Sequence, residues 1–488
     1  MHSMTHPVRK IFILFTIGCL LGQNVYADIS NLPDLGDDSG SLISPAQERK
    51  LGEDFMRTAR RQLDIVSDPE LNAYIQSLGQ RLLPKNGPTA YQQLHFFIIK
   101  DPSINAFAVP GGYIGVHTGL ILATENEAEL ASVLAHETAH LTQRHLLRMN
   151  AQAKRTSIPA MAALLAAILL AGSGHQGGEA AIAMTTATLA QNQLNFTREF
   201  EQEADRIGMG LLTQAGFDAR AMPAFFERMQ SYTRLYENNL PEFLRTHPIT
   251  TRRIAESRDQ AEHYPVVKNP DATDFYHAQA KIRVLSGDNP ADTIRSFKSR
   301  LDSDDYKNKD AELYGYALAL LENKHYAEAR STIQNLLAQH PNYGLYRIAQ
   351  AEIELAAGNN TEALKLYAAA VKKAPNDYAL TQRYASALLK TDHPAEARNL
   401  LRTVVRQWPQ DPTLQKMFAI AAGDSGSLLE AHQAMAEYYY LNGNSDAAIA
   451  QLQLARKHAG ENFYFLASLD ARIKEIRDEA ALYKNFDH

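Results

Sequence analysis

Apolar residues recur at helical spacing from Pro45 to about Leu83. Between Leu94 and Val116 the pattern becomes strand-like, with Phe96-Phe97-Ile98-Ile99 and then Tyr113-Ile114-Gly115-Val116. A small sheet beside helices is predicted. Thr124-Glu125-Asn126-Glu127 has the residues of a capping box, which would open a long helix running to about Met149. A second long helix is expected near Glu179 to Leu212, and further helices run to about Ala261.

Past a linker at Tyr264 to Thr273, which holds Pro265 and Pro270, the chain turns into helices rich in Ala, Leu and Tyr with a fixed period. Ala317, Ala351, Ala385 and Ala419 stand 34 residues apart, as do Ala329, Ala363, Ala397 and Ala431, and as do Pro341, Pro375 and Pro409. Three registers sharing that period predict tetratricopeptide repeats, in which two antiparallel helices cross at small residues and proline ends the second. Ala436, Gly443 and Ala448 restart about half a repeat early, which predicts an irregular or differently capped C-terminal stack. The fold class is therefore mainly α: an α+β domain over 28–265, then an all-α solenoid over 272–488.

The first 27 residues stand apart. His2, Arg9 and Lys10 precede an apolar run from Ile11 to Gly22, followed by Val25-Tyr26-Ala27. This is the layout of a cleavable secretory signal, because the run is shorter than the roughly 20 apolar residues that span a bilayer. Asp28 to Ser44 reads as an extended leader. Cys19 is the single cysteine and lies inside the signal, so the mature chain is expected to have neither a disulfide nor thiol chemistry. Thr16 stands where a lipoprotein signal usually carries Leu, which argues against lipidation. The expected compartment is the periplasm. A 14-residue apolar stretch from Ile158 to Ala171 is again too short to span. It reads either as a buried core helix or as an interfacial one making peripheral membrane contact, possible also at the outer membrane.

Length and charge narrow the remaining choices. At 488 residues the chain exceeds one ordinary core. Its net charge of −6 offers no basic field for nucleic acid.

The chemistry sits on the capped helix. Val133-Leu134-Ala135-His136-Glu137-Thr138-Ala139-His140-Leu141 contains HExxH. Spacing of i and i+4 stacks His136 and His140 on one helix face, where two imidazoles can hold one Zn2+, and it sets Glu137 beside the water that such an ion activates. The apolar flanks bury the helix, and buried His and Glu need partners to offset desolvation. A catalytic zinc site needs a third protein ligand. Glu201 and Asp205, at i and i+4 on the next long helix, can supply one carboxylate ligand and a second that orients His136 or His140. His145, five residues after His140, is expected to point off the ligand face and to lie at the surface.

HExxH, then ExxxD on a later helix, then Thr246-His247-Pro248 with Arg253, resembles the HtpX-like and CAAX-prenyl-protease-like zinc peptidases, whose domain is of the zincin type. Asn105-Ala106-Phe107-Ala108 and Pro110-Gly111-Gly112 match as well. The resemblance implies one Zn2+ per chain held by His136, His140 and Glu201, with Glu137 as general base and Asp205 behind the ligands. It also implies a strand around Asn105, Ala106, Phe107, Gly111 and Gly112 that pairs with extended substrate. It brings His247 into the site, either to stabilise an oxyanion or to occupy the fourth zinc position and hold the enzyme inactive. Together with the signal and the repeats, it implies a periplasmic member acting on outer-membrane β-barrel proteins and their assembly machinery, including the lipopolysaccharide-export barrel. The alternative is a tetratricopeptide chaperone or scaffold whose zinc site is latent. A membrane-embedded peptidase is disfavoured, since no run beyond the signal reaches about 18 apolar residues.

Overall fold

A computed structural model describes residues 43–83, 94–152, 198–235, 241–270 and 272–484. The expected signal, nearly all of the leader, the apolar stretch Ile158 to Ala171, and the expected helical residues 179–197 lie outside the described residues.

The first described helix, Pro45–Gln62, starts at a true capping box: Ser44 Oγ accepts from the Gln47 amide at 3.3 Å and Gln47 Oε1 accepts from the Ser44 amide at 2.8 Å. Asp68 caps the second helix, Pro69–Arg81. Three strands follow, β1 His95–Ile99, β2 Ala106–Val109 and β3 Tyr113–His117. Their order is β1-β3-β2, with β1 parallel and β2 antiparallel to β3. One side of β1 is covered by residues 64–66, through the Val66 amide on Ile98 O at 2.9 Å and the Lys100 amide on Asp64 O at 2.8 Å. Among the described residues that leaves β2 as the strand paired on one side only.

The expected capping box at Thr124 is displaced by two residues. Asn126 caps the helix Glu127–Thr142, its side chain accepting from the Glu129 amide at 3.1 Å, while Glu129 reaches back to the Glu125 amide at 2.7 Å. Thr124 instead closes the short helix Thr118–Ala123 through Ile121 O. Glu127 cannot serve as the box carboxylate, because Arg81 and Tyr74 hold it from another helix. The helix also does not run unbroken to Met149. It ends at Thr142, Arg144 adopts φ 53°, and a new helix, His145–Gln152, begins. Arg144 is held in that left-handed conformation by Ile43 O at 3.2 Å and Glu48 Oε2 at 3.0 Å.

Helices Arg198–Gln214, Ala221–Leu235, Glu242–Thr246 and Thr251–Glu262 complete the first half. From Thr273 onward the described chain is helical hairpins only. Second helices of the repeats begin at Tyr326, Asn360, Pro394 and Leu428, keeping the expected 34-residue step. All eight periodic alanines are buried where helices cross. The expected early restart is seen: helices 428–441 and Ser445–His458 are joined by a three-residue turn with Gly443 at φ 72°, as Asp392 and Gly426 join the two helices of a repeat, Ala436 and Ala448 are both buried, and Phe463–Lys484 closes the stack. A Cβ on Gly443 would lie 3.2 Å from Arg57 O and from the Arg61 guanidinium, so this turn packs closely on helix 45–62.

The repeats wrap the first half of the chain. Helix 69–81 packs on helices 273–285 and 378–390, and helix 45–62 packs on helix 428–441. Part of the surface that a repeat array offers to other proteins is thus taken by the protein's own helix. The contact is polar at its centre. Asp68 and Glu70 meet Lys281, with Arg383 binding Glu70 through Nε and Nη2 at 2.7 Å each and Glu352 at 2.9 Å. At the other end, Arg60 donates to Leu441 O at 2.7 Å and Lys50 pairs with Glu479 at 2.5 Å. No helix among the described residues is long and apolar enough to cross a membrane.

Candidate metal centre

Residues 127–141 of the HExxH helix are all buried, so both imidazoles and Glu137 enter the interior. Helix 198–214 crosses directly behind them. A Cβ at Gly208 would lie 3.0 Å from the His136 amide nitrogen, so the bare glycine sets how closely the two helices approach. That approach delivers Glu201: its carboxylate stands 3.5 Å from His136 Nε2 and 3.3 Å from His140 Nε2. The two Nε2 atoms are 3.0 Å apart.

His247 completes the cluster. It caps helix 242–246, its amide bonded to Phe243 O at 2.7 Å and its ring stacked on Phe243 at 5.0 Å. Its Nδ1 lies 3.0 Å from Glu201 Oε1 and 3.4 Å from His136 Nε2, and its Nε2 lies 3.4 Å from Glu137 Oε1. Ligand atoms of His136, His140, Glu201 and His247 all fall within 4.8 Å of one another.

The surrounding charge calls for a cation. Glu137, Glu201 and Asp205 are buried with a single guanidinium, that of Arg253, which pairs with Glu201 at 2.7 Å and grips both oxygens of Asp205 at 2.8 Å. Burial opposes ionisation of Glu201, but the charges of His247 and Arg253 outweigh it and hold the carboxyl well below the usual range. Burial also lowers His136, yet its bonds to Asp205 and Glu201 prevail and push it up to about 9. Burial and the neighbouring His136 keep His140 well below the ordinary imidazole value. Glu137 is raised, chiefly by burial. Three imidazoles and a carboxylate, buried and converging within 4.8 Å, fit a divalent metal of the zinc type.

Each residue expected from the sequence has a definite place. Asp205 stands beside His136 rather than His140, its Oδ1 3.0 Å from Nδ1. Arg253, known only from the Thr-His-Pro motif, ties Glu201, Asp205 and Pro248 O together. The β2 strand packs on the HExxH helix, and its Ala108 backbone favours the ionised Glu137 carboxylate. Ala106 is buried, Phe107 is half-buried against Phe55 and Phe97, and Asn105 is buried with Oδ1 lacking a hydrogen bond. Gly111 and Gly112, both at positive φ, form the β2–β3 turn, and a Cβ on Gly111 would meet Glu48 O at 2.6 Å. Backbone geometry at both positions, and packing on helix 45–62 at Gly111, favour glycine here. His145 is not at the surface. It is fully buried, with Nδ1 2.8 Å from His140 Nδ1 and Nε2 3.2 Å from Glu203. The break at Arg144 turns it inward, and helical spacing carries no signal of that break.

Comparison with known proteins agrees with this centre. Residues 69–261 match the family model "Peptidase family M48", and residues 314–378 and 354–420 match two tetratricopeptide repeat models. The chain is 34% identical over 487 residues, 99% of each chain, to the beta-barrel assembly-enhancing protease of Escherichia coli (strain K12). The chain belongs to peptidase family M48. Within that family it is also 35% identical over 475 residues to the putative beta-barrel assembly-enhancing protease of Vibrio cholerae, covering 96% of this chain and 97% of that one. It is 32% identical over 256 residues to the mitochondrial metalloendopeptidase OMA1 of Schizosaccharomyces pombe, covering 52% of this chain and 70% of that one. This M48 protein is thus a metal-dependent endopeptidase joined to tetratricopeptide repeats.

Proposed function

We propose that the chain is a zinc metalloendopeptidase, exported to the periplasm by residues 1–27, that degrades misfolded or stalled outer-membrane β-barrel proteins and assists their assembly through its repeats. The observation that carries the reading is the convergence of His136, His140 and Glu201 beside Glu137, in a chain matched end to end by relatives named for β-barrel assembly. Residues 28–265 would form the peptidase domain and 272–488 the repeat domain. Partners would be outer-membrane β-barrel proteins, their assembly machinery and the lipopolysaccharide-export barrel.

A zinc ion held by His136, His140 and Glu201 would supply Lewis acidity, polarising the scissile carbonyl and acidifying the attacking water. Glu137 Oε1, buried and without a hydrogen bond, takes the proton of that water and returns it to the leaving amine. Asp205 orients the His136 ring, and Arg253 holds Asp205 and Glu201 in register. Asn105 to Ala108 offer an edge along which an extended substrate can add as a strand, next to Glu137.

His247 supports a latent resting state, because its Nδ1 stands among the ligand atoms where substrate and water must enter. A fourth protein ligand excludes the open position that catalysis needs. His247→Ala is therefore expected to keep its metal and to cleave an unfolded β-barrel protein at least several-fold faster than wild type. Lower cleavage would instead give His247 the oxyanion-stabilising role, and unchanged cleavage would exclude both roles. The whole reading is tested by zinc content and chelator sensitivity of that cleavage. Cleavage that survives removal of all metal would rule out a metal-dependent peptidase mechanism, and zinc without cleavage in any variant would favour a repeat scaffold with a latent site.

A further inference from the structure

The cluster around the metal centre contains a buried histidine that neither the ligand set nor the acid–base chemistry uses. His145 opens helix 145–152 immediately after the left-handed Arg144, and this turn folds its ring back under His140. The two rings meet edge to face at 4.9 Å, and the other face of His145 stacks on Phe200 at 4.7 Å. Beyond it, Glu203 Oε2 accepts from His145 Nε2 at 3.2 Å and from Arg148 at 2.9 Å.

The hydrogens in this chain follow from its two ends. His140 presents Nε2 to the ligand cluster, so its hydrogen resides on Nδ1. Two Nδ1 atoms 2.8 Å apart need one donor and one acceptor, so His145 Nδ1 accepts. Its own hydrogen is then on Nε2, facing Glu203, where a carboxylate is ready to receive it. His136 is treated differently: its Nδ1 meets the Asp205 carboxylate directly at 3.0 Å.

We infer that His145 is a positioning residue of the metal centre, a neutral relay through which Glu203 orients the His140 ring and raises the basicity of its Nε2. The inference rests on the metal-site reading above. Outer partners of metal-binding histidines fix the tautomer and ring angle, and their loss typically weakens metal affinity about 10–100-fold. Glu203 lies between Glu201 and Asp205 in sequence, so helix 198–214 serves both histidines, one by direct contact and one through His145.

The test compares zinc affinity by chelator competition, and the visible spectrum of the cobalt-substituted protein, for the full chain and three variants. His145→Phe keeps the ring stacked on Phe200 but removes the acceptor, and should weaken zinc binding about 10–100-fold with an altered cobalt spectrum. His145→Gln can accept from His140 and donate to Glu203, and should recover most of that loss. Glu203→Gln keeps an acceptor without the charge and should fall between wild type and His145→Phe. Wild-type affinity and spectrum in His145→Phe would overturn the relay, leaving His145 as packing alone. Should that variant not fold, Glu203→Gln decides: a reduced affinity supports the relay and an unchanged one overturns it. Failure of the wild-type chain to bind zinc or cobalt would remove the metal reading beneath the inference, an outcome separate from an unaffected His145→Phe.

Discussion

Glu137→Gln should lose cleavage of an unfolded protein substrate by about 10²–10⁴-fold, the contribution usual for a positioned general base, while retaining its metal. The substitution preserves volume in a position that is fully enclosed, so helix 127–142 should stay in place. What changes is the proton. Burial holds the Glu137 carboxyl above its ordinary value, only partly offset by His247 and His136, which moves its basicity toward the working pH. An amide has no such capacity. Because Glu137 lies beside the ligand atoms and is not needed to complete the set of three, metal content by atomic spectroscopy should equal that of wild type. Single-turnover cleavage measured with that metal analysis checks both halves. Near-normal cleavage would remove Glu137 from the mechanism, and loss of metal would make it a ligand.

The second large effect is expected at the contact between helix 69–81 and the repeats. Lys281→Met should destabilise the protein by about 3–5 kcal/mol, the cost of leaving a buried partner charge uncompensated. Asp68, Glu70 and Glu352 share two cations there, Lys281 and Arg383. Burial disfavours ionised Glu70, yet Lys281 and Arg383 outweigh it and hold its carboxyl below the usual range. Three carboxylates exceed two cations, and burial accordingly raises Asp68 and Glu352. The sign follows from each direction. Glu70, depressed in the folded state, contributes stability above the unfolded carboxylate pKa of about 4 and loses it as pH falls further. Asp68 and Glu352, raised in the folded state, contribute below that value and lose the contribution as pH rises through their folded pKa values. Stability should therefore be greatest at mildly acidic pH and fall steeply below about pH 4. Thermal unfolding against pH measures this. Adding Glu70→Gln to Lys281→Met should restore part of the loss, since the two groups face each other. Additive losses would mean that the pair is not coupled.

Much of this molecule was legible in the chain itself. Repeats with a 34-residue step were readable because each helix pair must put small residues where helices cross, and the buried alanines occupy those positions. His136, Glu137 and His140 were readable because i and i+4 on one helix necessarily share a face. Glu201 and Asp205 needed more, since an acidic pair on a helix is usually solvated, and it took the helix crossing at Gly208 to bring them to the histidines.

What lies between elements was not legible. Thr124 and Asn126 are both good caps, and tertiary contacts that draw Glu127 toward Arg81 and Tyr74 decided between them. The helix break at Arg144 depends on Ile43 and Glu48, about a hundred residues earlier, and with it the burial of His145. The packing of helix 69–81 against the repeats depends on charges more than 200 residues apart, where Lys281 and Arg383 meet Glu70. Local spacing determines which residues share a face and so the fold class, the repeats and the HExxH pair. Which faces meet, which turn is held left-handed and where His247 comes to rest are set by long-range packing, which has no period along the chain.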